Sequence, residues 1–484
     1  MGRPARAGSG GGGVRRLRLA LVGAALALPL TALSAGAQRS AERQVPVGDL
    51  KLEPSALVLV EGFVESLLEE RLTRGLVVGV STASEQWVGG YGVARDDRAG
   101  APHGDTRFEL GSITKVFTGL LLTEAVARDE VALDTPLSSL LPEGIELEEA
   151  GGPIQLVHLA THSSGLPRMP PAFKRTDPAQ PYTGHGEDAT LRYLDQLRVR
   201  TLPGTRYAYS NLGVGVLGEL LVGAADAKDY GELVEARLCE PLGLKATTAA
   251  RPGASEDCAQ GHDALLRPVD PWHFEVMAGA GCLRSTMNDV LRFGRSQLAP
   301  STVHAQAQEA AFRPAQGSGP TMGLGWHLTP LGVLWHNGQT QGCHSFLALD
   351  RRAGLVVAVL SNASGPEPDL LGQGLLRSLT GRKPARPLEV QRAGKPSPER
   401  IERVLGEYSL GPLQPLVVSR EGGLVSLQLG LQQPVRLDPE DDTGTSWFCR
   451  GVDARIMFDE GPGEAPGLTL LQNGLELRAT RKRP

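Results

Sequence analysis

Apolar residues recur at helical spacing between Pro54 and Leu72, where Leu57, Val60, Phe63, Val64, Leu67 and Leu68 predict an amphipathic helix. The period then changes. From Gly75 to Val93 the strand formers Val77, Val80, Trp87 and Tyr91, with Gly89-Gly90 for backbone latitude, predict paired strands. A mostly apolar run, Val116 to Ala127, predicts a helix entered through Gly111-Ser112-Ile113-Thr114-Lys115. From about Asp134 to Leu298 the pattern is mostly helical, broken by Pro and Gly loops. Strand signals return at Gly325 to Leu328, Val333 to His336, Ser345 to Asp350 and Leu355 to Ser361, with Asp350-Arg351-Arg352-Ala353-Gly354 as a turn that suits antiparallel pairing. Early and late strands separated by helices imply an α+β unit. Its chain ends meet in one antiparallel sheet flanked by helices, its middle forms an inserted helical lobe, and a cleft lies between.

Gly381 to Glu399 is rich in Pro, Arg and Lys and reads as a linker. Beyond it, short apolar segments (Leu416 to Val418, Leu424 to Leu429, Ile456 to Phe458, Leu468 to Leu471) between Gly, Pro and Asp predict a small C-terminal all-β domain, with no catalytic grouping. A chain of 484 residues accommodates one large unit plus this smaller one. The expected division is 38–381, a linker at 382–399 and 400–484. Residues 1–37 read as an export signal: Arg3, Arg6, Arg15, Arg16 and Arg18 precede the uncharged Leu19 to Leu33, and Ala35-Gly36-Ala37 offers a cut after Ala37. The expectation is a periplasmic or secreted protein without a stable membrane span once the signal is removed.

Charge and cysteines narrow the function classes. The formal net charge is −5, and the 41 arginines and 8 lysines form no basic stripe, so nucleic-acid binding has no electrostatic support. Cys239, Cys258, Cys282, Cys343 and Cys449 are odd in number and widely spaced, allowing at most two intramolecular bridges, whose pairing the sequence leaves open. His158 and His162 stand four apart but lack the glutamate of a zinc-protease helix, so no metal is expected.

Three segments carry chemistry. Ser112-Ile113-Thr114-Lys115 is the sole Ser-x-x-Lys in the chain. Positions i and i+3 share a helix face, so the Lys115 amine can reach the Ser112 hydroxyl and, when its charge is disfavoured, take its proton. In Pro203 to Gly213, Tyr209 and Asn211 lie two apart at a loop-to-helix junction, offering a phenol for proton transfer and an amide that both donates and accepts. Trp335-His336-Asn337-Gly338-Gln339 ends a strand with a glycine that lets a substrate approach the backbone. In this order the three supply a hydroxyl with its base, an amide-reading loop and a strand edge with oxyanion donors, which are the parts of serine acyl transfer.

Through these segments the chain resembles the serine penicillin-recognising enzymes, in the branch holding class C β-lactamases, D-alanyl-D-alanine carboxypeptidases and endopeptidases, D-aminopeptidases and related esterases. The likeness spans about residues 55–380. It includes Phe108-Glu109-Leu110-Gly111, His158 to Leu166, Ala278 to Asp289 with Leu283-Arg284-Ser285-Thr286, and Val357 to Asn362. The resemblance implies a β-lactamase-like fold, Ser112 as the acylated nucleophile, Lys115 and Tyr209 sharing the proton transfers, and Asn211 holding the substrate's amide side chain. It also implies an oxyanion hole from the backbone N–H groups of Ser112 and Gln339, with His336 and Gly338 at the ends of the third motif. No cofactor is implied.

The third motif departs from the family's Lys-Thr-Gly. His-Asn-Gly replaces a fixed cation with a group expected to titrate near neutrality, so activity on carboxylate-bearing substrates is expected to rise as His336 protonates. The expected activity is hydrolysis of a β-lactam or a D-alanyl cell-wall peptide through an acyl-enzyme. A small-molecule esterase and a slow-turnover penicillin-binding sensor are the alternatives.

Overall fold

The computed structural model describes residues 51–482 apart from 172–178, 185, 252–256, 316–317, 384–387, 411–414 and 431. The export segment with its cut after Ala37, and part of the expected linker, lie outside the described residues.

Seven antiparallel strands form the central sheet: β1 (Gly75–Ser81), β2 (Gln86–Gly92), β3 (Thr321–Met322), β4 (His327–Leu328), β5 (Val333–Gln339), β6 (His344–Asp350) and β7 (Leu355–Ser361), in the order β2-β1-β7-β6-β5-β4-β3. β1 from the start of the chain pairs with β7 from its far side, Val78 opposite Val359, so both chain ends meet in one sheet. Every residue of β1, β6 and β7 is buried. Their continuous apolar runs reflect helices on both faces, and the two-residue period sorts the side chains between two cores. Leu76, Val78, Val80, Val357 and Val359 join α1 (Pro54–Glu69) and α5 (Glu367–Leu379) in one core. Val77, Val356, Ala358 and Leu360 join α2 (Thr114–Ala127) and α4 (Met287–Leu298) in the other.

α2 is buried on nearly all sides, which is why its sequence lacks a polar face. Between α2 and α4, α3 (Asn211–Ala224) is the longest helix, and the region expected to be mostly helical is otherwise short helices and loops. Met287–Leu298 is positioned by its N-cap, Thr286, whose hydroxyl accepts from the Asp289 N–H.

The C-terminal segment closes into an eight-stranded antiparallel barrel, β8 (Gly406–Ser409), β9 (Pro415–Glu421), β10 (Leu424–Leu429), β11 (Val435–Pro439), β12 (Ser446–Cys449), β13 (Ala454–Phe458), β14 (Gly467–Gln472) and β15 (Leu475–Arg481), around Tyr408, Leu437, Trp447, Ile456 and Leu468. Four of these strands (β8, β11, β12 and β15) gave no strand signal, and closure removes the edges an open sheet would expose. A short helix, Pro398–Val404, begins at the end of the expected linker and leads into the barrel. The barrel docks on the end of α1 through the buried Arg436, which donates to the carbonyls of Glu70 and Arg71. All five cysteines are buried and free, so neither of the two allowed bridges forms. Among the described residues no helix is long and apolar enough to cross a membrane.

Candidate active site

Gly111–Ile113 form a single 3₁₀ turn that leads directly into α2, setting Ser112 at the helix's positive end. Two glycines let β5 close on this turn. Gly111 has φ +51°, and a Cβ there would stand 2.8 Å from the Gln339 N. A Cβ at Gly338 would stand 1.9 Å from the Leu110 carbonyl oxygen and 2.8 Å from the Ser112 N. The backbone amides of Ser112 and of the Gly338–Gln339 strand end are thereby brought side by side. Ser345 on β6 ties the two together by donating its hydroxyl to the Leu110 carbonyl at 2.7 Å.

Lys115 is 1% exposed, and its Nζ lies 2.8 Å from Ser112 Oγ and 2.6 Å from the Ala280 carbonyl. No carboxylate faces it among the described residues. Burial first, and then the charge of Arg168, hold the amine well below the usual lysine range. A neutral amine donates to Ala280 and presents its lone pair to the Ser112 hydroxyl.

Tyr209 stands over this pair, with Lys115 Nζ 5.0 Å from the ring centre. Burial pushes its phenol up to about 12, with Ser112 pulling the other way, so the hydroxyl keeps its proton at neutral pH. Ser210 caps α3, its Oγ accepting from the Gly213 N–H at 2.8 Å, and this fixes the turn between Tyr209 and Asn211. Asn211 donates from Nδ2 to the Tyr182 hydroxyl at 3.2 Å. Its Oδ1 is buried with no partner among the described residues, an acceptor left for an incoming N–H.

The third motif behaves differently from expectation. His336 is 1% exposed, its Nδ1 donates to the Asn337 carbonyl at 2.6 Å, and its ring lies 5.0 Å from that of His327. Burial above all, with the nearby His327 and Lys115, holds His336 well below the usual histidine range, against the titration near neutrality expected from the sequence. Asn337 points to the opposite face of β5, donating to Asp369 on α5, which also meets His344 Nε2 at 2.9 Å. The amide in place of threonine is therefore engaged by the fold. The Gln339 side chain donates to the Ser364 carbonyl.

Several groups at the site were not given roles from the sequence. His162, weighed as a metal candidate, adjoins Tyr209, whereas His158 accepts the Gln155 N–H at the start of a short helix, so the two do not converge. Glu109 is half-buried between Arg284, the Trp272 N–H and the Thr340 hydroxyl, linking the residue before Leu110 to the residue after Gln339. Arg168 and Tyr182 come from loops with no periodic signal, and the Ala280 carbonyl has no side-chain signature at all.

Residues 60–381 match the model of the Beta-lactamase family. The chain belongs to the Beta-lactamase family. It is 26% identical over 313 residues to the D-alanyl-D-alanine-carboxypeptidase/endopeptidase AmpH of Escherichia coli (strain K12), covering 60% of this chain and 80% of that protein. It is 28% identical over 355 residues to the esterase EstB of Burkholderia gladioli, covering 62% of this chain and 89% of that protein. The octameric penicillin-binding protein homologue from Pyrococcus abyssi superposes with a TM-score of 0.60 at 21% identity, over 87% of this chain and 99% of that one. That shared fold reaches past the family match into the C-terminal barrel. As a member of the Beta-lactamase family the protein is a serine hydrolase of the β-lactamase and D-alanyl-D-alanine carboxypeptidase type.

Proposed function

We propose that the protein is an exported acyl-transfer hydrolase that opens a β-lactam or D-alanyl peptide amide through an ester on Ser112. The observation that carries this reading is the 2.8 Å approach of a buried, uncompensated Lys115 amine to the Ser112 hydroxyl. Lys115 takes the hydroxyl proton as Ser112 Oγ attacks the carbonyl carbon. The oxyanion that forms receives the N–H groups of Ser112 and Gln339, which the close approach at Gly111 and Gly338 supports. Asn211 accepts the substrate's acyl-side N–H on its open Oδ1. Tyr209, which keeps its proton, donates to the departing nitrogen and is restored from Lys115. Water then repeats the path on the ester, returning Ser112 to its free form. Export rests on the basic, apolar and small-residue order of residues 1–37.

Intact-protein mass spectrometry with a penicillin and with a peptide ending in D-Ala-D-Ala tests this. The expected result is a covalent mass increase that decays with hydrolysis, absent from Ser112→Ala. An adduct that persists in Ser112→Ala overturns the assignment of Ser112, and one that never decays in the wild type points to a penicillin-binding sensor. An esterase remains the second reading, favoured by the match over 89% of a relative that carries that name. Faster turnover of small acyl esters than of either amide would select it.

A further inference from the structure

Arg168 stands at the mouth of this site as an unspent positive charge. Its guanidinium carbon lies 5.0 Å from the centre of the Tyr209 ring, the same distance at which Lys115 Nζ approaches that ring. The residue is exposed, and no acidic side chain pairs with it among the described residues. Its backbone is fixed to the start of α3, because the Asn211 and Leu212 N–H groups both donate to the Arg168 carbonyl, at 3.0 and 3.3 Å. Arg168 and Asn211 thus move as one piece. Among the described residues, the buried basic groups of the site give no competing charge. Lys115, His162, His327 and His336 are buried and held toward their neutral forms, and the buried Arg284 already faces Glu109.

A free guanidinium stacked on an aromatic face keeps its donor edge open, and that planar edge suits a carboxylate through two parallel N–H donors. Its tether to Asn211 sets it on the side of the scissile bond that becomes the acyl group. On β5, where the third motif carries a neutral histidine and an asparagine committed to Asp369, no such cation is presented.

We propose that Arg168 determines specificity by binding a carboxylate carried on the acyl side of the substrate, next to the amide that Asn211 reads. This deepens the hydrolase reading above and rests on it for the orientation of the substrate. The chemical class implied is an acyl donor with an acidic side chain, such as a peptide with a free side-chain carboxylate one residue before D-Ala-D-Ala.

Three peptides, acetyl-X-D-Ala-D-Ala with X as glutamate, glutamine or lysine, test it by direct binding to Ser112→Ala, which removes turnover from the measurement. The expected order of affinity is glutamate, glutamine, lysine, with glutamate about tenfold tighter than glutamine. Arg168→Gln on the Ser112→Ala background should erase the glutamate advantage and leave the glutamine peptide within about twofold, which also reports an intact site. Equal affinities, an advantage that survives Arg168→Gln, or no binding by any of the three overturns the proposal. Turnover of the same peptides by the wild-type protein is measured in parallel. Binding selectivity without turnover would sink the peptidase reading and leave Arg168 as a carboxylate site, whereas turnover without selectivity would do the reverse.

Discussion

His162 holds Tyr209 on three sides. Its carbonyl accepts the Ala208 N–H at 2.7 Å, its Nδ1 accepts the Ser210 N–H at 3.2 Å, and its ring lies 4.3 Å from the Tyr209 ring at a 35° tilt. The two residues flanking the phenol are thus tied to one residue, Ala208 through its backbone and Ser210 through its ring. His162 achieves this from a left-handed backbone, φ +57°, which few non-glycine residues adopt. Asn tolerates that backbone and offers a similar acceptor, whereas Ala does neither. His162→Ala is expected to lower kcat by about 10- to 100-fold through misplacement of the phenol, with His162→Asn recovering part of the loss. Equal kcat values for the wild type and the Ala variant would remove His162 from the positioning of Tyr209.

Lys115 sets function against stability. Its amine is buried without a carboxylate among the described residues, and its charged form is strongly disfavoured. Lys115→Met keeps the length and volume of the side chain and drops the polar end. The expected outcome is loss of acylation by at least about 1000-fold together with a thermal midpoint equal to or above the wild type's. Calorimetry alongside the rate of adduct formation checks both, and a variant that is both inactive and several degrees less stable would contradict the second half.

Histidine burial predicts two pH responses. Between about pH 5 and 8 the normalised kcat/KM profile of His336→Gln should superimpose on that of the wild type, because burial holds His336 well below the ordinary histidine range. A limb near the ordinary histidine value in the wild type alone would restore a titrating His336.

Stability should respond where activity does not. Burial lowers His327 from 6.5 to about 4, so on acidification the unfolded chain takes up its proton before the folded one. Stability is therefore full above the unfolded value and falls as pH drops from 6.5 toward 4, by about 3 kcal/mol from this residue. His162 and His336, lowered for the same reason, act with the same sign. Thermal midpoints of the wild type and His327→Phe at pH 7 and pH 4.5 should differ more for the wild type.

Gly338 makes the strand edge testable by a single methyl. Gly338→Ala sets a Cβ 1.9 Å from the Leu110 carbonyl, so β5 must retreat from the Ser112 turn. Acylation is expected to drop by about 100-fold or more as the two amides separate, and the thermal midpoint to fall with the strain. Wild-type acylation rates in Gly338→Ala would show that this strand end does not serve the oxyanion.

The amino-acid order carried a great deal by itself. The apolar periods located α1, β1 with β2, and β5 to β7, because each buries a regular face or lies wholly inside, and local sequence registers that directly. Ser112 and Lys115 were legible for a similar reason, since i and i+3 on one helix face fixes their separation without help from elsewhere. Tyr209 and Asn211 were legible by spacing at a helix start that Ser210 caps. What needed the tertiary structure was everything that depends on distant neighbours. His336 was read as titrating near neutrality and is held well below the usual histidine range, because it is buried against β4 and α2, which its own strand does not announce. Asn337 meets Asp369 only after α5 has packed. β8, β11, β12 and β15 gain their stability from barrel closure, which short irregular segments do not announce. His162 and Arg168 reach Tyr209 from a loop about forty residues upstream, and the Ala280 carbonyl reaches Lys115 across 165 positions. Sequence spacing sets which side chains can share a face; burial and charge, which set their protonation and free valences, are properties of the assembled core alone.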